Sequence, residues 1–325
     1  MLRFPPAFAP LLLLLLALAC RTPDTDRAPD RNEVTGEEFP VWHLERLREW
    51  LAAPCGPGQP CDPAEALAEH PAVEPTKALY RRHAPMFSRG CSLSAERPPD
   101  TPHGRLVRWA LGGRPALIFA GGCSPEPYFA ILAGTEDVFE LWRIFPGRLL
   151  ASLPRRSGLC LLASHEGYGA NRDAGLSLWE CEVDRPEGCA ELHVRWASDL
   201  QGPGPSADPR SPPLRRALDR DSALRIGPRV DDRPQESGLG FDWPGNLYQR
   251  LAANSAGWVL DEVRGEDGQA WSLAVFQAPP AWGLETDLLA EMARPHLARP
   301  PAAFGPGARV ELLLGWLRTS DLAAP

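Results

Sequence analysis

Leu106-Val107-Arg108-Trp109-Ala110-Leu111, then Gly112-Gly113, then Ala116-Leu117-Ile118-Phe119-Ala120 and Gly121-Gly122 decide how this chain reads. Two short apolar runs are joined by one Gly-Gly pair and closed by another. Runs this short, bounded by glycine, predict strands rather than helices. Glycine at the joint supplies the positive φ that a tight hairpin turn requires. The same signature recurs at Tyr128 to Leu132 and Val138 to Phe145, with Gly134 between them. A second set follows at Leu149 to Leu153, Leu159 to Ala163, Leu176 to Glu182 and Glu191 to Trp196. Residues 104–198 are therefore expected to form an antiparallel β domain.

Leu117 and Cys160 fall at matching places in the two sets, 43 residues apart, which is the spacing of a four-stranded propeller blade. Two blades cannot close a propeller, and no blade-ending Trp-Asp is present. An internal duplication is left open. On the N-terminal side, residues 39–90 read as a helical segment. Val41, Leu44, Leu47, Trp50 and Leu51 recur at three- and four-residue spacing, with Glu45, Arg46, Arg48 and Glu49 between them. A second helix is expected from Asp62, with Pro63 at its first position and Glu65 in a capping box. A third is expected over Thr76 to His83. On the C-terminal side, residues 199–221 carry Gly202-Pro203-Gly204-Pro205 and Pro209-Arg210-Ser211-Pro212-Pro213, which read as a linker without helix or ladder.

Composition narrows the function classes. The 325 residues carry a formal charge of −8 and a single lysine, Lys77. An acidic chain of this kind is not built to coat nucleic acid. Eleven tryptophans and 44% apolar residues are enough for real cores.

The first twenty residues bear on location. Arg3 is followed by the Leu11 to Leu16 run and then Ala17-Leu18-Ala19-Cys20. The run is shorter than the ~20 residues that span a bilayer. The layout resembles a bacterial lipoprotein signal, which implies cleavage after residue 19 and acylation of Cys20. Ala17-Leu18-Ala19 also fits an ordinary A-x-A cleavage site. Loss of residues 1–19 removes only Arg3, so the charge of −8 becomes −9. Residues 20–38 read as a flexible tether. Arg21 after the cysteine implies the outer membrane, by analogy with lipoprotein sorting in enteric bacteria.

Eight cysteines are present: Cys20, Cys55, Cys61, Cys91, Cys123, Cys160, Cys181 and Cys189. Export makes disulfides plausible. Cys55–Cys61 and Cys181–Cys189 each flank a turn containing proline and glycine, and these pairings are expected; Cys160–Cys181 is the alternative for the second. The cysteines lack C-x-x-C spacing and a histidine pair, so no metal site is expected.

Residues 222–325 begin with Leu224-Arg225-Ile226-Gly227-Pro228-Arg229-Val230 and continue with Gly245-Asn246-Leu247-Tyr248 and Ala256-Gly257-Trp258-Val259-Leu260-Asp261-Glu262. Gln269 to Val275 reads as a returning strand with Trp271, Leu273 and Val275 on one face. Gly315-Trp316-Leu317-Arg318-Thr319-Ser320-Asp321-Leu322 closes the region. Together these motifs resemble a bacterial SH3-like domain. The resemblance implies a small barrel that opens on a strand and a Gly-Pro turn. Residues 278–308 depart from it as an insertion, with a short helix expected over Glu285 to Ala293. Trp258, Trp271 and Trp316 read as barrel-core filling, with a peptide groove as the competing reading.

No catalytic constellation stands out: there is no G-x-S-x-G, no H-E-x-x-H and no Walker loop. Ser164-His165-Glu166 are consecutive strand residues on alternating faces and cannot form a relay by themselves. Cys160 sits in an apolar run, and Glu166, Asn171 and Asp173 lack calcium-loop order. The expectation is a mainly β protein, α+β overall: a helical segment, an antiparallel β domain and a C-terminal SH3-like barrel. It is read as an envelope lipoprotein, without cofactor, that contacts membrane lipid through Cys20 and binds peptidoglycan or an envelope protein. The alternative is an envelope hydrolase with its site in the β domain.

Overall fold

A computed structural model describes residues 71–87, 104–121, 127–154, 158–166, 173–204, 212–278 and 308–324, with short breaks, together with Leu44, Leu47 and Arg48. The described chain is mainly β, built on antiparallel strands without a closed barrel. It divides into two compact bodies. Cys20, Cys55, Cys61 and the expected helices from Asp62 and over Glu285 to Ala293 lie outside the described residues.

The N-terminal body comprises residues 62–165 and 177–191. Its first sheet is an up-and-down meander of β1 (Gly104–Leu111), β2 (Arg114–Gly121), β3 (Tyr128–Gly134) and β4 (Phe139–Pro146). Gly112 and Gly113 join β1 to β2 with φ of 57° and 83°, as the Gly-Gly reading requires. β5 (Arg148–Pro154) and β6 (Gly158–Glu166) follow, and then the hairpin of β7 (Asp173–Glu182) and β8 (Arg185–Ala197). β5 to β8 pair in that order. Gly147 alone separates β4 from β5, at φ 91°.

The pleat divides the apolar runs between two cores. Val107, Ala116, Ile118, Phe129, Ile131 and Phe145 pack with Leu149, Leu161, Ala163, Trp179, Cys181 and Cys189. The alternate residues Leu106, Leu117, Phe119, Tyr128, Ala130 and Leu132 form a second core with Val73, Leu79 and Tyr80. A sheet buried on both faces needs near-continuous apolar strands, which explains Leu117-Ile118-Phe119 and Phe129-Ala130-Ile131-Leu132. Leu79 and Tyr80 belong to α1 (Lys77–Phe87), which extends four residues past the predicted third helix. Thr76 caps it, its Oγ1 accepting from the Leu79 N–H at 3.1 Å. The outer edge of β1 is covered by an isolated bridge from Ala72 to Val107.

The C-terminal body comprises residues 37–61, 166–176 and 192–325. Leu44, Leu47 and Arg48 are helical and buried. The apolar stripe placed Leu44 and Leu47 inside. Arg48 was expected among the polar residues between them, yet it is 3% exposed. The strands are β9 (Leu214–Ala217), β10 (Ser222–Arg225), the short pair β11 (Gln235–Glu236) and β12 (Asp242–Trp243), β13 (Leu247–Leu251), β14 (Ala256–Arg264), β15 (Ala270–Gln277) and β16 (Arg309–Arg318). The last part of β8 pairs with β16, and β15, β14 and β9 follow in order. β10 pairs with both β13 and β16. The 3-10 turn η1 (Thr319–Asp321) returns the chain to β9, where Ala323 N–H donates to Ala217 O at 2.8 Å.

One expectation changes here. Residues 214–217, read as linker, form a ladder with β14 from Leu214 opposite Val259 to Ala217 opposite Ala256. Pro212 and Pro213 stop short of the strand and so cost it no hydrogen bond. The tryptophans are buried, at 6% for Trp258, 0% for Trp271 and 1% for Trp316, so they line no open groove. They also stand apart from one buried cluster of this body. That cluster is Leu224, Ile226, Tyr248, Leu251, Val259, Ala274, Phe276, Leu313 and Leu317 with their neighbours. Leu273 opposite Trp316 and Val275 opposite Leu314 point to the other face of the sheet, which is also buried.

Gln249 lies opposite Leu224 and therefore faces the interior, fully buried. Its Nε2 donates to Arg250 O at 3.2 Å, but its Oε1 is buried with no hydrogen-bond partner. A buried acceptor left unpaired costs about 1–3 kcal/mol. Gln249→Met, close in shape, is expected to raise the stability of this body by about 1 kcal/mol after loss of the Nε2 bond. Urea unfolding of the two proteins checks this, and a lower midpoint in the variant would contradict it.

Candidate functional site

The loop end of the C-terminal body is the most elaborately fixed surface among the described residues. After β10 the chain enters Ile226-Gly227-Pro228, and Asn246 fastens that stretch from across the loop. Asn246 is 5% exposed. Its Oδ1 accepts from Gly227 N–H at 2.8 Å. Its Nδ2 donates to Gly227 O at 3.0 Å and also to Arg229 O. Its main chain adds two more bonds, from Ile226 N–H to Asn246 O at 2.9 Å and from Asn246 N–H to Asp231 O at 2.6 Å. Gly245 sits beside it at φ 56°, and a Cβ there would lie 2.4 Å from Asp231 O and 2.6 Å from Arg233 O. Only glycine lets the loop approach that closely.

Two further segments meet this loop at Pro228. A Cβ on Gly265 would stand 2.5 Å from Pro228 O and 2.6 Å from the Trp271 indole. Gly265 opens the β14–β15 turn, in which Asp267 Oδ1 accepts from Gln269 N–H at 2.9 Å and from Trp271 Nε1 at 3.2 Å. The Gln269 N–H, helped by the Trp271 N–H and the Arg318 cation, holds the Asp267 carboxyl below its usual value of 3.8 against the opposing effect of desolvation. The other segment is Gln201-Gly202. Gln201 N–H donates to Ile226 O at 2.8 Å, and Trp316 Nε1 donates to Gln201 O at 2.7 Å. Gly202 lies against Trp316 and Pro228.

The frame presents exposed tips. Val230 is 47% exposed, one of four large apolar side chains open to solvent among the described residues. Asp231 and Arg233 follow it, paired at 3.0 Å. Hydrogen bonding to Arg233 holds the Asp231 carboxyl low and the Arg233 guanidinium correspondingly high. Glu266, Asp267 and Arg318 are exposed on the neighbouring segments. A rigid frame with one apolar tip and charges of both signs can bind by contact and hydrogen bonding. Nothing in it is arranged as a nucleophile with a base.

The residues singled out from sequence fall as follows. Cys181 and Cys189 are joined in a disulfide with their Cα atoms 4.1 Å apart. The alternative partner Cys160 lies on β6, one strand away. Ser164, His165 and Glu166 are consecutive on β6, and Asp173 begins β7. Cys20, Cys55, Cys61 and Asn171 are outside the described residues. Among the described residues there is no group of three or more metal-ligating side chains. No helix among them is long and apolar enough to cross a membrane. Asn246 and Gln201 were not anticipated. In sequence Asn246 is one residue of the Gly245-Asn246-Leu247-Tyr248 motif, and only the fold shows that it is a buried fastener. No family model, curated protein or solved structure matches this chain.

Proposed function

We propose that this protein is an envelope lipoprotein, anchored through an acylated Cys20, whose C-terminal body is an SH3-like recognition module for cell wall or an envelope protein. The observation that carries the binding reading is the convergence of residues 200–202, 226–233 and 265–268 on Pro228. Loops held this firmly by a β scaffold are a common way to build a binding surface. The apolar run ending at Ala19-Cys20 supports the anchor, and the Cys181–Cys189 bond is in keeping with an oxidising compartment.

Two experiments test the reading. Mass spectrometry of the membrane fraction is expected to show an acylated N-terminal peptide beginning at Cys20; a soluble protein with unmodified Cys20 would refute the anchor. The recognition surface is tested in the full chain, because β9 and the end of β8 belong to this body and a cut at residue 222 would break its sheet. Val230→Ser with Arg233→Ala alters only exposed tips. It is expected to lower retention on purified cell wall or on an envelope-protein fraction about tenfold, which corresponds to about 1.4 kcal/mol. Unchanged retention on both, or clearing of a peptidoglycan suspension by the unaltered protein, would overturn the reading.

A further inference from the structure

Residues 182–188, the span closed by Cys181 and Cys189, grip the first sheet of the N-terminal body at several places. Val183 O accepts from Trp142 Nε1 at 3.0 Å. Pro186 O accepts from Arg143 Nη1. Asp184 Oδ1 accepts from Arg114 Nη2 at 2.8 Å. The Val183 methyls lie 3.1 and 3.2 Å from where a Cβ on Gly112 would stand. The grips thus reach the β1–β2 turn, the start of β2 and the middle of β4. The last place is special. Leu132 pairs with Leu141 and Ile131 with Arg143, so Trp142 is the extra residue of a β-bulge. Trp142 has no partner on β3, and its indole N–H is held from the closed turn instead.

We propose that the Cys181–Cys189 bond is an oxidation-set clasp: the 182–188 hairpin tip seats on the β1–β2 turn and the β4 bulge only once the bond has closed. The span is the tip of the β7–β8 hairpin, the Val183-Asp184 turn with Glu182 and the first four residues of β8, and it must give up its freedom to bend and fray in order to dock. In return it gains two hydrogen bonds to main-chain carbonyls, the Val183 contact and an ion pair whose side chains are 63% and 76% exposed. Exposed pairs contribute little. Closing the ring removes most of the ordering cost in advance, so oxidation decides whether the grips form. Both thiols give up their protons and together two electrons to a disulfide donor, which leaves as two thiols. Each cysteine is then only 4% exposed within the core, so a reductant does not reach the bond in the folded body and the setting is one-way. The clasp is independent of what the protein binds.

Hydrogen exchange on the full chain tests the proposal by comparing the oxidised protein with the Cys181→Ser/Cys189→Ser variant. Amides of Gly112, Gly113, Arg114 and Ala116 and of Trp142 and Arg143 are expected to exchange at least tenfold faster in the variant, with β14 to β16 unchanged. Unchanged exchange at Trp142 and Arg143 would overturn the clasp. So would loss of protection throughout β1 to β3, which would make the bond a staple for the whole body. Thiol labelling of the folded wild-type protein in dithiothreitol gives a second reading. Cys181 and Cys189 are expected to stay unlabelled, and rapid labelling would overturn the one-way setting.

Discussion

Asn246→Ala is expected to cost the C-terminal body about 3 kcal/mol and to free the loop that carries Val230 and Arg233. The side chain makes three hydrogen bonds, to Gly227 N–H, Gly227 O and Arg229 O. Alanine fills none of them and leaves the buried Gly227 N–H without its acceptor. An unpaired buried donor accounts for about 1–3 kcal/mol, and the two carbonyls add to it. Asn246→Asp separates geometry from size. It keeps an acceptor for Gly227 N–H but replaces the donor with an oxygen facing two carbonyls, and is expected to be at least as damaging. Urea unfolding gives the magnitude, and hydrogen exchange at Gly227 gives the location. A loss below 1 kcal/mol with Gly227 still protected would show that the loop is fixed by other contacts.

Gly257→Ala is expected to destabilise the same body by about 3 kcal/mol, at the upper end for a forced core contact. Gly257 faces Phe276 across the ladder, and an added Cβ would stand 2.5 Å from Val275 O and 2.6 Å from two Phe276 ring carbons. The carbonyl belongs to a central strand and cannot withdraw without breaking pairing. Gly268→Ala is the control. Nothing lies within 4 Å of its added Cβ, and only its φ of 72° resists substitution. That strain costs about 1–2 kcal/mol. Thermal unfolding should rank the two in this order. Equal losses would mean that β14 has room to shift away from β15.

How far these features could be read in advance depended on how local their causes are. The eight strands of residues 104–198 announce themselves because each apolar run ends at its own glycine or polar break. The Cys181–Cys189 pairing was readable for the same reason, with a proline and a glycine between the two cysteines. β9 was not, because Leu214-Arg215-Arg216-Ala217 has no alternation of its own and takes its ladder from β14, more than forty residues downstream. Periodicity told that Trp271, Leu273 and Val275 share a face, but not that both faces of that sheet would be buried. Asn246 was quoted only within the Gly245-Asn246-Leu247-Tyr248 motif, and its buried role depends on where Gly227 and Arg229 arrive in the fold. The SH3-like resemblance rests on short motifs. β9, on the flank of β14, is an addition that those motifs did not contain.

The division of β7 and β8 has a consequence for the order in which this protein can be assembled. Residues 177–191 count with one body, while 166–176 and 192–197 on either side of them count with the other. A ribosome delivers the chain from its N-terminus, and domains ordinarily fold as each is completed. Here the earlier body lacks its last strands until residue 191 has emerged, by which time part of the later body is already out. The later body waits in turn for Trp316 and Leu322, almost at the end of the chain. The earlier body can therefore close only after residues 37–61 and 166–176 of the later one have been made, and those early pieces must wait unpartnered until the last strand arrives.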